Sequence, residues 1–215
     1  MVNGKLSKQF VFYYLTEIYI SMVDQNFIKN KIIQSIEVKK QLLTNEILLL
    51  TIEKVANDMV ETFNNGGKVL FCGNGGSAAD AQHISAELSG RFYKDRDPLY
   101  AEALHVNSSY ITAVANDYSF DDIYSRMIRA MGRKGDILVG ISTSGNSINI
   151  IKAIETANKL GMTTVGLTGH SGGILKEHCA HLINIPSSDT PRIQESHILI
   201  GHILCEIIEH LMFKE

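Results

Sequence analysis

From Lys68 onward the chain alternates short apolar runs with segments of helical periodicity, and this alternation narrows the fold more than any other feature. The runs are residues 68–72 (KVLFC), 101–106 (AEALHV), 137–141 (ILVGI), 163–167 (TTVGL) and 182–186 (LINIP). Helical spacing of apolar residues covers 77–90, 119–131, 147–160 and a short segment after Gly173. Short apolar runs between helical segments read as strands buried on both faces, which only a parallel sheet covered by helices accommodates. Ahead of this region, Ile28, Ile32 and Ile36, then Leu48, Ile52, Val55, Met59 and Phe63, recur at helical spacing. They predict two helices between about Gln25 and Asn65, ending at Gly66-Gly67. The apolar stretch from Pro191 to Phe213 predicts a long closing helix, with Thr190 as capping hydroxyl and Pro191 at the first helical position. The expected fold class is therefore α/β: a three-layer α/β/α sandwich around a five-stranded parallel sheet, with extra N-terminal helices and a long C-terminal helix.

A chain of 215 residues suits one such domain, assigned to residues 25–215, with residues 1–24 as an N-terminal extension. Residues 10–23 (FVFYYLTEIYISMV) are apolar but too short for a membrane span, Glu17 interrupts them, and no small-residue cleavage site follows. They predict neither a signal peptide nor an anchor, and Met22 reads as an alternative start. The formal charge of −3, without a dense Lys/Arg run, argues against nucleic acid as partner. Cys72, Cys179 and Cys205 lack CxxC spacing and sit among apolar residues, the pattern of buried free thiols in a reducing cytoplasm.

In an open parallel sheet, ligands sit beyond the carboxyl ends of the strands. Two loops there carry unusual composition. Gly73-Asn74-Gly75-Gly76-Ser77 follows the first apolar run, and its small residues let backbone N–H groups approach an anion. Residues 142–147 (STSGNS) follow the third and supply four hydroxyls, on Ser142, Thr143, Ser144 and Ser147, at the head of a helix. One Ser/Thr/Gly cluster is commonly only a turn or a cap. Two of them at strand ends of the same sheet favour a monoester phosphate on a small molecule, whose oxygens accept from hydroxyl and amide donors. Gly73, Gly75 and Ala78 satisfy the GxGxxG/A spacing of a dinucleotide turn. The ribose-binding acid due about 20 residues later at the end of the next strand is absent there, since the next run closes on His105, Val106 and Asn107. No Lys-Ser/Thr follows the glycines, which excludes a Walker loop.

Downstream of the glycine loop, His83 and Glu87 stand four apart, one above the other on a helix, with Cβ atoms about 5–6 Å apart. Such a pair is more often a surface hydrogen bond than a metal grip, but this one lies at the ligand-binding end of the sheet. The closing helix adds Gln194, His197 and His202. His202, flanked by Ile200, Ile203 and Leu204, is expected to be buried and to need a partner. Gln194 and His202 are separated by about 12 Å of helix axis and reach one ion only from opposite sides. Two imidazoles, a carboxylate and an amide oxygen suit Zn²⁺. His105, His170, His178, His181 and His210 read as surface or structural.

Residues 73–91 (GNGGSAADAQHISAELSGR), 141–147 (ISTSGNS) and 192–204 (RIQESHILIGHIL) together resemble the sugar isomerase (SIS) domain family in its phosphoheptose isomerase branch, from about Gln25 to the C-terminus. The resemblance implies conversion of the ketose D-sedoheptulose 7-phosphate to the aldose D-glycero-D-manno-heptose 7-phosphate, for lipopolysaccharide or capsule. It places Asn74, Gly75 and Gly76 on the sugar-phosphate chain, Asn116 and Asp117 on its hydroxyls, and Ser142, Thr143, Ser144 and Ser147 on the phosphate. His83, Glu87, Gln194 and His202 match the zinc ligands, Glu87 and Gln194 also facing substrate. Glu87 is then the base for carbon and His202 the partner acid/base. Pro191 occupies a slot that is variable, acidic or small in relatives. The resemblance also implies a homotetramer with sites formed between subunits. A competing reading is a non-enzymatic SIS protein that binds the replication initiator DnaA or senses another sugar phosphate. The intact His83/Glu87/Gln194/His202 set favours the enzyme.

Overall fold

The computed structural model describes residues 24–213. The expected extension, residues 1–24, falls outside the described residues except for Asp24. Glu37 and Val38 mark the division between two compact units. In the first, helix α1 (Gln25–Leu43) begins where the Asp24 carboxylate accepts from the Phe27 N–H at 2.9 Å. Phe27, Ile28, Ile32, Ile33 and Ile36 are exposed.

The second unit starts with the last turns of α1, where Val38 and Leu42 are buried, and continues into α2 (Glu46–Asn64), capped by Asn45 accepting from Leu48 N–H at 3.1 Å. β1 (Val69–Gly73), α3 (Gly76–Ser89), β2 (Ala101–Ala103), α4 (Ser108–Asp117), α5 (Ile123–Met131), β3 (Ile137–Ile141), α6 (Ile148–Lys159), β4 (Thr163–Thr168), β5 (His181–Asn184) and α7 (Thr190–Met212) follow. The strands pair in the order β2-β1-β3-β4-β5, every pair parallel. Alternate residues of each strand face opposite layers. Val69, Phe71, Ile137, Val139 and Ile141 join a core with Met59 of α2, Ile84 of α3 and Leu204 of α7. Leu70, Cys72 and Leu138 join a second core with Ile128 of α5 and Ile150 of α6. The three-layer architecture expected from the alternation is the one observed.

Four local expectations are corrected. The run 101–106 is a strand only to Ala103: Leu104 N–H still bonds Phe71 O, and the chain then turns, with Val106 N–H on Ala103 O. The next segment is helix α4, which the sequence reading did not assign. Asn107 caps it through Tyr110 N–H at 3.0 Å, and Tyr110, Ile111, Val114 and Ala115 pack inward. The helix expected over 119–131 begins as a 3₁₀ turn, Phe120–Asp122, capped by Ser119 accepting from Asp121 N–H, before α5 proper. Finally, Asp189 rather than Thr190 occupies the N-cap of α7, and it makes no side-chain cap bond. Pro191, which lacks an N–H in any case, sits in the first turn.

Cys72 and Cys205 are buried and Cys179 half-buried, all three as free thiols. The most buried histidine is His197, whose Nε2–H donates to Thr168 O at 3.1 Å while Nδ1 has no hydrogen-bond partner among the described residues. Burial pushes its pKa down to about 4 from 6.5, with the bond to Thr168 O opposing weakly. The folded value lies below the unfolded one, so the stability His197 contributes is whole above pH about 6.5 and is lost as pH falls towards about 4. That window is worth about 3 kcal/mol. Denaturant midpoints at pH 7 and pH 4.5 should therefore differ, and His197→Gln should flatten the slope between them; an unchanged slope in that variant would remove His197 as the cause.

Candidate active site

The sheet grows in both directions from β1, with β2 on one side and β3 on the other. The loops after β1 and β3 therefore open side by side, with Gly73 in register with Ile141, at the position where such sheets bind ligands. They are the two loops singled out from composition. In the first, Gly75 has φ 55°, a conformation other residues enter at a cost, and it starts α3 without a side-chain cap. In the second, the Ser142 hydroxyl lies 2.9 Å from that of Ser147 and 3.5 Å from that of Ser144. Ser147 occupies the N-cap of α6 yet makes no cap bond; its hydroxyl turns to Ser142 instead. Thr143 is half-buried beside them. The Ser142 and Ser147 hydroxyls thus face each other, while Ser144 Oγ accepts from the Asn146 N–H at 3.2 Å.

The two loops are joined by a residue that the sequence reading missed. The side-chain amides of Asn74 and Asn149 exchange two hydrogen bonds, at 2.9 and 2.8 Å, and Asn149 is buried in the first turn of α6. Its only sequence signal is a polar residue one step after the exposed Ile148, on the face otherwise filled by Ile150 and Ala153. A cavity of about 290 Å³ opens beside this pair, lined by Gly73, Asn74, Gly75, His105, Ser108 and Thr112 among others. His105, expected to be structural or on the surface, thus faces a cavity, and burial lowers its pKa.

The third group comes from α3 and α7. His83 Nε2 lies 2.9 Å from His202 Nε2 and 3.4 Å from Glu87 Oε1. The expectation of a buried His202 is corrected: it is half-buried, its ring stacked on that of Phe92 at 5.7 Å between centroids, while His197 takes the core position. The reason is helical phase. His197, Ile200, Gly201 and Leu204 form the inward face of α7, and His202 lies at its edge. Gln194 reaches the glycine loop from the start of α7, so that a Cβ on Gly76 would stand 2.5 Å from its Nε2. Asn116 and Asp117 are not drawn into these groups: both are exposed at the end of α4 and hydrogen-bond each other at 2.8 Å.

That close approach yields a direct test. Gly76→Ala must displace the Gln194 carboxamide while leaving the core untouched. If Gln194 serves the site, turnover should fall about 10- to 100-fold, the usual effect of an ångström-scale misplacement, with the melting temperature nearly unchanged. Full activity in this variant would detach Gln194 from function.

Among the described residues no set of three or more His, Cys, Asp and Glu side chains stands in metal-holding geometry. The donor types nevertheless fit zinc. The 3.4 Å between His83 Nε2 and Glu87 Oε1 matches the edge of a tetrahedral site, which is about 3.3 Å for ligands 2.0–2.1 Å from the ion. The 2.9 Å His–His separation is shorter than that edge by a few tenths of an ångström, within reach of a small change of imidazole rotamer.

Glycine- and hydroxyl-rich loops at the carboxyl ends of adjacent parallel strands, with an imidazole–carboxylate cluster on α3 and α7, belong to an α/β domain that binds its ligand at the sheet end, and the SIS domain model matches residues 34–169. A phosphoheptose isomerase of Aneurinibacillus thermoaerophilus is 50% identical over 189 residues, 88% of this chain and 96% of that protein. Among solved structures, phosphoheptose isomerases from Neisseria gonorrhoeae and Francisella tularensis align with TM-scores of 0.80 and 0.83, at 42% and 40% identity. They cover 86% and 87% of this chain, and 98% of each of those chains is matched. The chain belongs to the phosphoheptose isomerase family, and it is an isomerase.

Proposed function

We propose that the chain converts D-sedoheptulose 7-phosphate to D-glycero-D-manno-heptose 7-phosphate, with Glu87 and His202 as its acid–base pair and one zinc ion per subunit held by His83, Glu87, Gln194 and His202. The observation that carries this reading is the convergence of Glu87, His83 and His202 from two helices, at distances of 3.4 Å (His83–Glu87) and 2.9 Å (His83–His202).

The reaction moves one proton between adjacent carbons through an enediol. Ser142, Thr143, Ser144 and Ser147 hold the phosphate at the head of α6, where the helix dipole and converging hydroxyls favour a dianion. With the phosphate fixed, the sugar chain extends along Asn74, Gly75 and Gly76; the family resemblance assigns its hydroxyls to Asn116 and Asp117, which stand outside these groups, exposed at the end of α4. The Glu87 carboxylate removes a proton from C1, and the electron pair left on carbon forms the C1–C2 double bond as the C2 carbonyl oxygen gains negative charge. His202 carries the hydroxyl proton from O1 to O2, and Glu87 returns its own proton to C2, leaving the C1 aldehyde. Zinc, when bound, supplies Lewis-acid polarisation of the carbonyl.

A homotetramer in the cytoplasm completes the proposal. Free thiols suit a reducing compartment, and the described residues contain no helix long and apolar enough to cross a membrane. Ile28, Ile32, Ile33 and Ile36 in the first unit, and Ile47, Leu49, Leu50, Ile203 and Leu211 in the second, expose apolar surface that subunit packing would cover. Incubating the purified protein with sedoheptulose 7-phosphate, before and after chelation and with metal analysis, tests the reading. An aldose product that disappears on chelation and returns with Zn²⁺ is expected. Binding without turnover would instead indicate a sensing module, and turnover unaffected by exhaustive chelation would overturn the zinc assignment.

A further inference from the structure

Arg96, in the segment between α3 and β2, forms a buried ion pair with Glu209 of α7 that the reaction outlined above does not use. Arg96 Nε donates to Glu209 Oε1 at 2.9 Å, and both side chains are 2% exposed. The rest of the guanidinium turns to the C-terminal end of α3: Nη2 donates to Glu87 O at 2.9 Å, and Nη1 to Leu88 O at 2.8 Å and to Gly90 O at 3.3 Å. These are carbonyls that a helix end leaves without intrahelical partners, and Arg96 satisfies several with one rigid fork. The Glu209 carboxylate also accepts the N–H groups of Phe92 (3.0 Å), Tyr93 (2.9 Å) and Lys94 (3.0 Å). Phe92, fixed by that contact, lays its ring on His202.

Glu87 rides on α3, the helix whose end Arg96 grips, and His202 rides on α7, two turns before Glu209. One buried pair therefore ties the helix carrying the carboxylate to the helix carrying the imidazole, and its backbone contacts set the aromatic wall behind that imidazole. We infer that Arg96, Glu209 and Phe92 are positioning residues for the Glu87/His202 pair: they fix the separation and orientation of the two groups and touch no substrate. This rests on the reaction proposed above for its kinetic readout. A pure stability role would give the same contacts, so the test must separate placement from folding.

Arg96→Lys keeps a positive charge opposite Glu209 but cannot reproduce the fork to the Glu87 and Leu88 carbonyls. Its kcat on sedoheptulose 7-phosphate, per folded enzyme, is expected to fall about 10- to 100-fold with KM within about threefold of wild type. Phe92→Leu, which disturbs neither charge nor carbonyl, should lower kcat in the same sense and stands as the deciding variant if Arg96→Lys does not fold. A kcat within about twofold of wild type in the folded variant, or a rise in KM alone, overturns the inference. Crystal structures of wild type and variant give a readout independent of turnover: displaced Glu87 and His202 side chains are expected, and unmoved ones overturn it. An inactive wild type with displaced side chains in the variant would count against the reaction and not against the positioning.

Discussion

Glu87→Gln is expected to abolish isomerisation, with kcat down on the order of 10³- to 10⁴-fold, while the protein stays folded. The two side chains have the same shape, so any packing on the face of α3 survives. Glu87 is about a quarter exposed on its side chain, so losing its charge leaves no buried cation stranded. Among the described residues it pairs with His83, one turn away on an accessible surface, and such pairs contribute little to stability. What the amide lacks is the lone-pair basicity to take a proton from carbon. The same change weakens a metal donor, so zinc content should be measured on the variant: retained metal with lost turnover isolates the base, and lost metal assigns the effect to coordination. Circular dichroism and a melting curve matching wild type, together with undiminished turnover, would remove Glu87 from the mechanism.

The layers, the parallel sheet and the two glycine- and hydroxyl-rich loops at strand ends could be read from the sequence, because each depends on local pattern. Apolar runs buried on both faces and glycines or hydroxyls at strand ends are local signals. Local signals also misled. Residues 108–117 (SSYITAVAND) mix β-branched and aromatic residues with small ones, so the helical phase of Tyr110, Ile111, Val114 and Ala115 was hidden by composition although Asn107 offered a cap. Burial of His202 was inferred from its apolar neighbours, whereas an amphipathic helix places neighbours in sequence on different faces; the phase of Gly201 and Leu204 excludes His202 from the core and admits His197. Pairings across long separations leave no local trace. His83 and His202 are 119 residues apart, Arg96 and Glu209 are 113 apart, and Asn74 and Asn149 are 75 apart. The first was reachable because four metal-type donors restrict each other; the other two needed coordinates, since a lone Arg, Glu or Asn in a polar stretch carries no such restriction.

The largest loss of stability is expected from Glu209→Ala. Truncating one member of a buried ion pair costs about 3–5 kcal/mol, because the remaining charge stays desolvated without its partner. Here the charge left behind is Arg96, 2% exposed, and the N–H groups of Phe92, Tyr93 and Lys94 lose their acceptor at the same time. The electrostatic direction agrees. Burial alone would raise the Glu209 pKa, yet the three N–H bonds and Arg96 outweigh it and hold the carboxyl below its ordinary value. A lowered folded pKa means that this contribution is whole above the ordinary carboxylate range and is lost as pH falls through the folded value. Chemical denaturation at pH 7 should show a midpoint well under wild type for Glu209→Ala. Replacing both members together, as Arg96→Met with Glu209→Leu, should recover part of that loss, since no charge then remains to be desolvated. A Glu209→Ala protein as stable as wild type would mean that water reaches Arg96 freely, and the buried pair would then be neither a stabilising nor a positioning element.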